Sequence, residues 1–246
     1  MSQRRRGIYL LPNLFTTGAL FGGFYAIVAA INSRFEDAAV AIFVAMILDG
    51  MDGRIARMTN TQSDFGVQYD SLSDLISFGL APALVMYQWS LYGLGKLGWV
   101  AAFVYAATTA LRLARFNTQA DNQDKHFFQG LPSPAAAALV AGFIWLGAAN
   151  GLYDGTNLVW ISFPLTLAAG ILMVSNIRYH SFKQFDLKGR VPFFTILILV
   201  LMLALIAARP SVVLFLLAFL YALSGPVLTL LWIRQRRAKR KHSEHA

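Results

Sequence analysis

The chain has 246 residues, is 57% hydrophobic and only 13% charged, and contains no cysteine. Soluble domains carry about a quarter charged residues, so a soluble fold is excluded, as are disulfides and cysteine-based metal sites or nucleophiles. Lys and Arg outnumber Asp and Glu by 21 to 12, which in a soluble protein would suggest nucleic acid; apolar stretches near the roughly 20-residue length of a membrane span recur here, so membrane lipid is the expected partner and nucleic acid is not.

Residues 1 to 12, with Arg4, Arg5 and Arg6 ahead of apolar positions, are expected to lie along the membrane surface as a short amphipathic segment. Cleavage as a signal peptide is not expected, because seven further spans follow and no A-x-A site appears. Eight spanning helices are predicted: Leu14 to Ile31, Glu36 to Arg57, Asp70 to Trp89, Leu97 to Phe116, Pro134 to Ala149, Leu158 to Val174, Pro192 to Ala208 and Ser211 to Ile233. The fold class is therefore all-α, a polytopic membrane bundle, since lipid forbids unpaired backbone and no stretch has the alternation of a barrel strand. Residues 1–233 read as one membrane domain, and 234–246, opening "RQRRAKRK", as a solvated basic tail.

An even span count puts both termini on one side. That side holds every Lys and Arg except Arg34, Lys96 and Arg209, so it is expected to be cytoplasmic, with the chain in the inner membrane. The connections on this side, 58–69, 117–133 and 175–191, read as long and polar, and the opposite ones as short. The chemistry is expected on the cytoplasmic face.

The second and third spans carry the densest polar pattern. Asp49, Asp52, Gly53, Ala56 and Arg57 share one helical stripe, and Gly66, Asp70 and Asp74 share another. A hairpin between the two spans lets the stripes face each other, so four carboxylates would converge near the cytoplasmic boundary. One Asp inside a membrane costs about 2.5–3.5 kcal/mol at the centre of a helix, and four together repel. A divalent cation is the natural compensation. Oxygen-only ligation suits Mg²⁺ or Mn²⁺, and four acids make a pair of ions plausible, an arrangement used in phosphoryl chemistry. Asp49 alone would read as a helix cap. The whole set in register, with two small residues and an arginine, reads as functional.

The stretch "DGMDGRIARMTNTQSDFGVQYDSLSD" (49–74) resembles the CDP-alcohol phosphatidyltransferase family, whose pattern is D-x-x-D-G-x-x-A-R, eight residues, then G-x-x-x-D-x-x-x-D. Every fixed position is matched. The resemblance implies that Asp49, Asp52 and Asp70 hold divalent metal, and that Asp74 completes a second metal site and acts as general base. It implies a CDP moiety bordered by Asn13, Asp49, Gly53, Ala56, Arg57, Gly66 and Asp70. "RLARFN" (112–117), "FFQGLPSPAAAA" (127–138) and "SNIRYHSFK" (175–183) are similar to the phosphatidylserine synthase branch. That implies transfer of a phosphatidyl group from CDP-diacylglycerol to L-serine with release of CMP, in a homodimer.

For the serine carboxylate or the lipid phosphate, the basic candidates are Arg112, Arg115, Arg178 and Lys183, each of which also reads as a positive-inside anchor. Ser133, between Pro132 and Pro134, reads as an N-cap-like turn and is a candidate for shaping the acceptor pocket. Within the same chemistry the rival acceptors are glycerol 3-phosphate, inositol phosphate and a sugar alcohol. A cation transporter is the rival class, but transport sites favour the midplane of inverted repeats; this cluster is at the boundary and the chain shows no repeat.

Overall fold

The computed structural model describes residues 10–59, 61, 63–119, 127–180 and 193–243 of the chain. The first helix, α1 (Leu10–Ile31), takes in residues 10 to 12 of the expected surface segment; residues 1 to 9 lie outside the described residues. α1 packs along α2 (Phe35–Thr59) through small side chains: Ala26, Ala29 and Ala30 are buried, as are Ala38, Ala41 and Ala45 opposite. A Cβ on Gly22 would stand 3.1 Å from the Ala45 Cβ. Close backbone approach of this kind is how helices associate in lipid. The turn between them closes on Ser33 with φ 59°, and the Arg34 N–H reaches back to the Ala29 carbonyl at 2.8 Å, which satisfies the end of α1.

The expected 58–69 connection is much shorter than that. α2 continues to Thr59, and α3 (Asp64–Asp74) starts behind Ser63, whose side chain accepts the Gly66 N–H at 3.1 Å. Ser63 as N-cap with Asp64 in the first turn is a helix-start signal, so the third helix begins six residues ahead of the predicted Asp70. α3 then widens into a π turn (Leu75–Leu80) and continues as α4 (Ala81–Trp89). The cause lies in the sequence. Pro82 has no N–H, so the Phe78 carbonyl four residues back loses its helical partner. The hydroxyl of Tyr105 donates to that carbonyl instead, at 3.2 Å. The π turn is also where α1 crosses: a Cβ on Gly23 would fall 2.6 Å from the Ser77 Cα, and Ser77 Oγ donates to the Ala19 carbonyl at 2.9 Å.

A 3₁₀ turn (Leu91–Leu94) leads to α5 (Lys96–Gln119), followed by β1 (Phe127–Gln129), α6 (Ser133–Ala149), a 3₁₀ turn (Thr156–Leu158), α7 (Val159–Val174), β2 (Arg178–His180), α8 (Phe193–Ala208) and α9 (Pro210–Ser243). The architecture is all-helical as expected, with two strands of three residues added to it. They pair antiparallel, Phe127 with His180 and Gln129 with Arg178, inside stretches read as loops. The first ten residues of the basic tail are helical: α9 runs on through Ser243, as a sequence of Arg, Lys, Gln and Ala with no breaker allows.

By length and composition four helices can cross a membrane: 11–31, 96–118, 156–174 and 210–231; α6 and 194–208 are apolar but shorter. α2 and the α3–α4 rod do not meet that criterion, and they are the elements that carry the acids. The outer surface is strongly apolar, with Phe21, Trp160, Leu197 and Leu201 at least half exposed, as a lipid-facing bundle requires. α8 is the extreme case, exposed along nearly its whole length, with its main packing among the described residues against α9.

Candidate active site

The stripes on α2 and α3 meet as their spacing predicts. Asp49, Asp70 and Asp74 each place a carboxylate oxygen so that all three lie within 4.8 Å of one another. Asp52 stands beside Asp70, 6% exposed, and accepts a hydrogen bond from Thr16 Oγ1 at 2.7 Å. The four acids thus form one continuous group, with Asp52 at its edge.

Thr16 ties three helices together. Its hydroxyl, on α1, is on Asp52 of α2, and its carbonyl accepts from Ser73 Oγ of α3 at 3.0 Å. Ser73 precedes Asp74, so the acids of α2 and α3 are both registered against α1. The sequence reading missed Thr16 and Ser73. The available signal was helical spacing: Thr16 follows Asn13 by three, on the same face.

Next to the acids is a cleft of about 290 Å³ between α1, α2 and the start of α3, near the lower end of the roughly 300–1,000 Å³ of ligand sites. Asn13, Asp52, Gly53, Ala56, Arg57, Gly66 and Asp70 line it, with Pro12, Thr16, Thr61, Ser63 and Val67. Of the residues expected around a nucleotide, only Asp49 is not among the lining residues; it stands in the carboxylate group instead. Gly53 has no packing reason to lack a side chain, because the nearest atom to an added Cβ is Arg57 Nη1 at an ordinary 3.6 Å. What a side chain there would fill is the cleft.

The group has the character of a hard-cation site. Three acids share one small volume, and Asp70 Oδ1 is buried without a hydrogen-bond partner among the described residues. A buried carboxylate oxygen left without a partner is costly, and like charges at this spacing repel. A divalent ion answers both.

The acceptor candidates separate. Arg112 on α5 is buried, 8% exposed, and feels the field of Asp74. Its Nη1 donates to the Gln129 carbonyl at 3.2 Å, and among the described residues it has no carboxylate partner. Arg115, one turn on, is instead engaged by both Nη atoms: with the carbonyls of Gln129, Val174 and Ser175 and with Asn176 Oδ1, at 3.3–3.5 Å. Arg178 is exposed on β2. Ser133 is buried at the first residue of α6, but Pro132 holds the cap position, so the N-cap reading is corrected; Ser133 does not line the cleft. Lys183 lies outside the described residues.

Comparison with known proteins identifies the family. The sequence model of the family described as CDP-alcohol phosphatidyltransferase matches residues 9–174. The chain is 39% identical over 219 residues to a CDP-diacylglycerol–serine O-phosphatidyltransferase of Helicobacter pylori, covering 89% of this chain and 90% of that one. A Bacillus subtilis protein of the same name is 34% identical over 71% of this chain and 92% of its own. One from Methanocaldococcus jannaschii is 37% identical over 58% of this chain and 63% of its own.

Proposed function

The chain belongs to the CDP-alcohol phosphatidyltransferase family, and from that premise we propose that it transfers a phosphatidyl group from CDP-diacylglycerol to L-serine, giving phosphatidylserine and CMP. The observation that carries the proposal is the meeting of Asp49, Asp70 and Asp74 oxygens within 4.8 Å beside a cleft lined by Gly53, Ala56, Arg57 and Gly66. The names of the relatives support serine as the acceptor.

In this reading CDP occupies the cleft, against the bare backbone at Gly53 and with Asn13 and Arg57 at its edges, while the acyl chains stay in lipid. Asp49, Asp52, Asp70 and Asp74 hold divalent metal, Mg²⁺ or Mn²⁺, as two ions. When bound, the ions supply positive charge that screens the diphosphate and favours attack at phosphorus. The serine hydroxyl attacks the phosphorus that bears the diacylglycerol, and Asp74 accepts its proton. The bond from that phosphorus to the oxygen of CMP breaks, and CMP leaves with that oxygen. Positioning and a fixed electrostatic environment carry most of the rate.

Arg112 is the residue proposed to receive the serine carboxylate. A buried guanidinium without a carboxylate partner is expensive, and an anionic ligand removes that cost next to Asp74. We place the eight helices across the inner membrane with the acids at its cytoplasmic face, following the distribution of Lys and Arg, and take a homodimer as the family resemblance implies.

The test is a panel of acceptors. Purified protein with CDP-diacylglycerol and Mn²⁺ or Mg²⁺ is given serine, glycerol 3-phosphate or inositol phosphate, and CMP is measured. Release with serine alone is expected. Release with a phosphorylated acceptor and none with serine would overturn the proposal.

A further inference from the structure

The carboxy-terminal helix α9 lies beyond the residues matched by the family model, which stops at residue 174, yet one of its carbonyls is tied to the acceptor side of the site. Pro226 sits inside α9 and has no N–H, so the carbonyl of Ala222, four residues back, loses its helical partner. The hydroxyl of Tyr179 donates to it at 3.0 Å. Tyr179 is fully buried, and its ring occupies the space that a side chain at position 225 would need: a Cβ on Gly225 would come within 2.4 Å of it. Proline, glycine and tyrosine thus build one socket.

Tyr179 is the middle residue of β2. Its strand neighbour Arg178 pairs with Gln129 of β1. The carbonyl of that Gln129 receives both Arg112 Nη1 at 3.2 Å and Arg115 Nη2 at 3.3 Å. Beyond β1 the chain is pinned against the end of α7. The Gly130 N–H donates to the Ile177 carbonyl at 2.8 Å and the Leu131 N–H to the Leu172 carbonyl at 2.9 Å. Gly130 has φ +76°, and a Cβ there would stand 2.2 Å from the Met173 carbonyl oxygen. The ribbon therefore has one fixed end on α7 and one on α9, with the arginines clamped to the carbonyl between them.

We propose that Tyr179 is a positioning residue for the amino-acid acceptor: by closing the gap that Pro226 opens in α9, it fixes the β1–β2 ribbon whose Gln129 carbonyl aims Arg112 at the serine carboxylate. The inference rests on the reading of Arg112 as the carboxylate partner. It adds that serine affinity depends on a contact made through α9, two steps removed from substrate.

The experiment compares KM for serine and for CDP-diacylglycerol in wild type, Tyr179→Phe, the double variant Tyr179→Phe/Pro226→Ala, and Arg112→Lys. Tyr179→Phe is expected to raise the serine KM about 3- to 10-fold, the range that one hydrogen bond within a membrane bundle supports, with the CDP-diacylglycerol KM unchanged. The double variant returns a backbone N–H to Ala222, which repairs any folding defect but not the tether, so its serine KM stays raised. A fall in maximal rate with both KM values unchanged, or a serine KM restored in the double variant, would make the contact merely structural and overturn the proposal. Arg112→Lys separates the two layers. An unchanged serine KM there defeats the acceptor reading itself; a raised one beside a normal Tyr179→Phe defeats only the role of Tyr179.

Discussion

Asp74 and Thr16 show what single residues contribute. Replacing Asp74 by Asn keeps the shape and removes the proton acceptor. Turnover is expected to fall by at least about 10²–10⁴, the share of a general base, while CDP-diacylglycerol still binds, as equilibrium binding of labelled lipid to the purified variant would report. Turnover near wild type would remove the base role. Thr16→Val is expected to weaken metal binding by about 10- to 100-fold, the usual loss when a hydrogen-bond partner of a ligating carboxylate is removed; titration with Mn²⁺ and detection of the free ion measures it, and Thr16→Ser should keep wild-type affinity. The acids were legible because ionisable groups in register within a membrane helix have few structural excuses. Thr16 was not. A threonine in such a helix ordinarily bonds its own backbone one turn back, and Thr16 Oγ1 does lie 3.2 Å from the Pro12 carbonyl; only the arrival of Asp52 from α2 gives it another task.

The elements of the site are held by devices that repeat. In the α3–α4 rod and in α9 a proline frees a carbonyl four residues back, and a tyrosine hydroxyl from another element takes it: Tyr105 for Phe78, Tyr179 for Ala222. A proline inside a helix is visible in sequence, but its tyrosine is 27 or 43 residues away from the carbonyl, so the rescue becomes visible only in the fold. Gly23→Val tests the crossing of α1 over the π turn. The added side chain would collide with the Ser77 backbone, and a loss of about 1–3 kcal/mol is expected from overpacking, read as a lower thermal midpoint in detergent. An unchanged midpoint would mean that the crossing is loose. Four of the expected spans were legible from apolar length, at 11–31, 96–118, 156–174 and 210–231; α2 and the α3–α4 rod, which carry the acids, fall short of that criterion among the described residues. The early start of α3 needed its cap, Ser63 and Asp64, to be weighed above hydropathy, and strands of three residues have too little alternation to be seen.

For the whole molecule, the apolar exterior and the one-sided distribution of Lys and Arg argue for one orientation. The chain lacks cysteine, so single cysteines can report it. A cysteine at exposed Met58, near the acids, should be labelled by an impermeant reagent only from the cytoplasmic side, and one at exposed Tyr153 only from the opposite side; the reverse pattern would invert the topology. The long, polar connections on one side pointed the chemistry to that face, without saying which residues carry it. The acids placed the site at the end near residues 49–74, and the fold then brought Arg112 from α5 into the field of Asp74. That last step, joining residues 38 positions apart, depends on packing that no local pattern encodes.

The most direct measurement counts Mn²⁺ bound to the purified protein by electron paramagnetic resonance, in wild type and in Asp70→Asn. Two ions per chain are predicted for wild type at concentrations that support turnover, with at least one lost in Asp70→Asn. Equal binding by both proteins, or no binding by wild type, would contradict a cation site shared between α2 and α3.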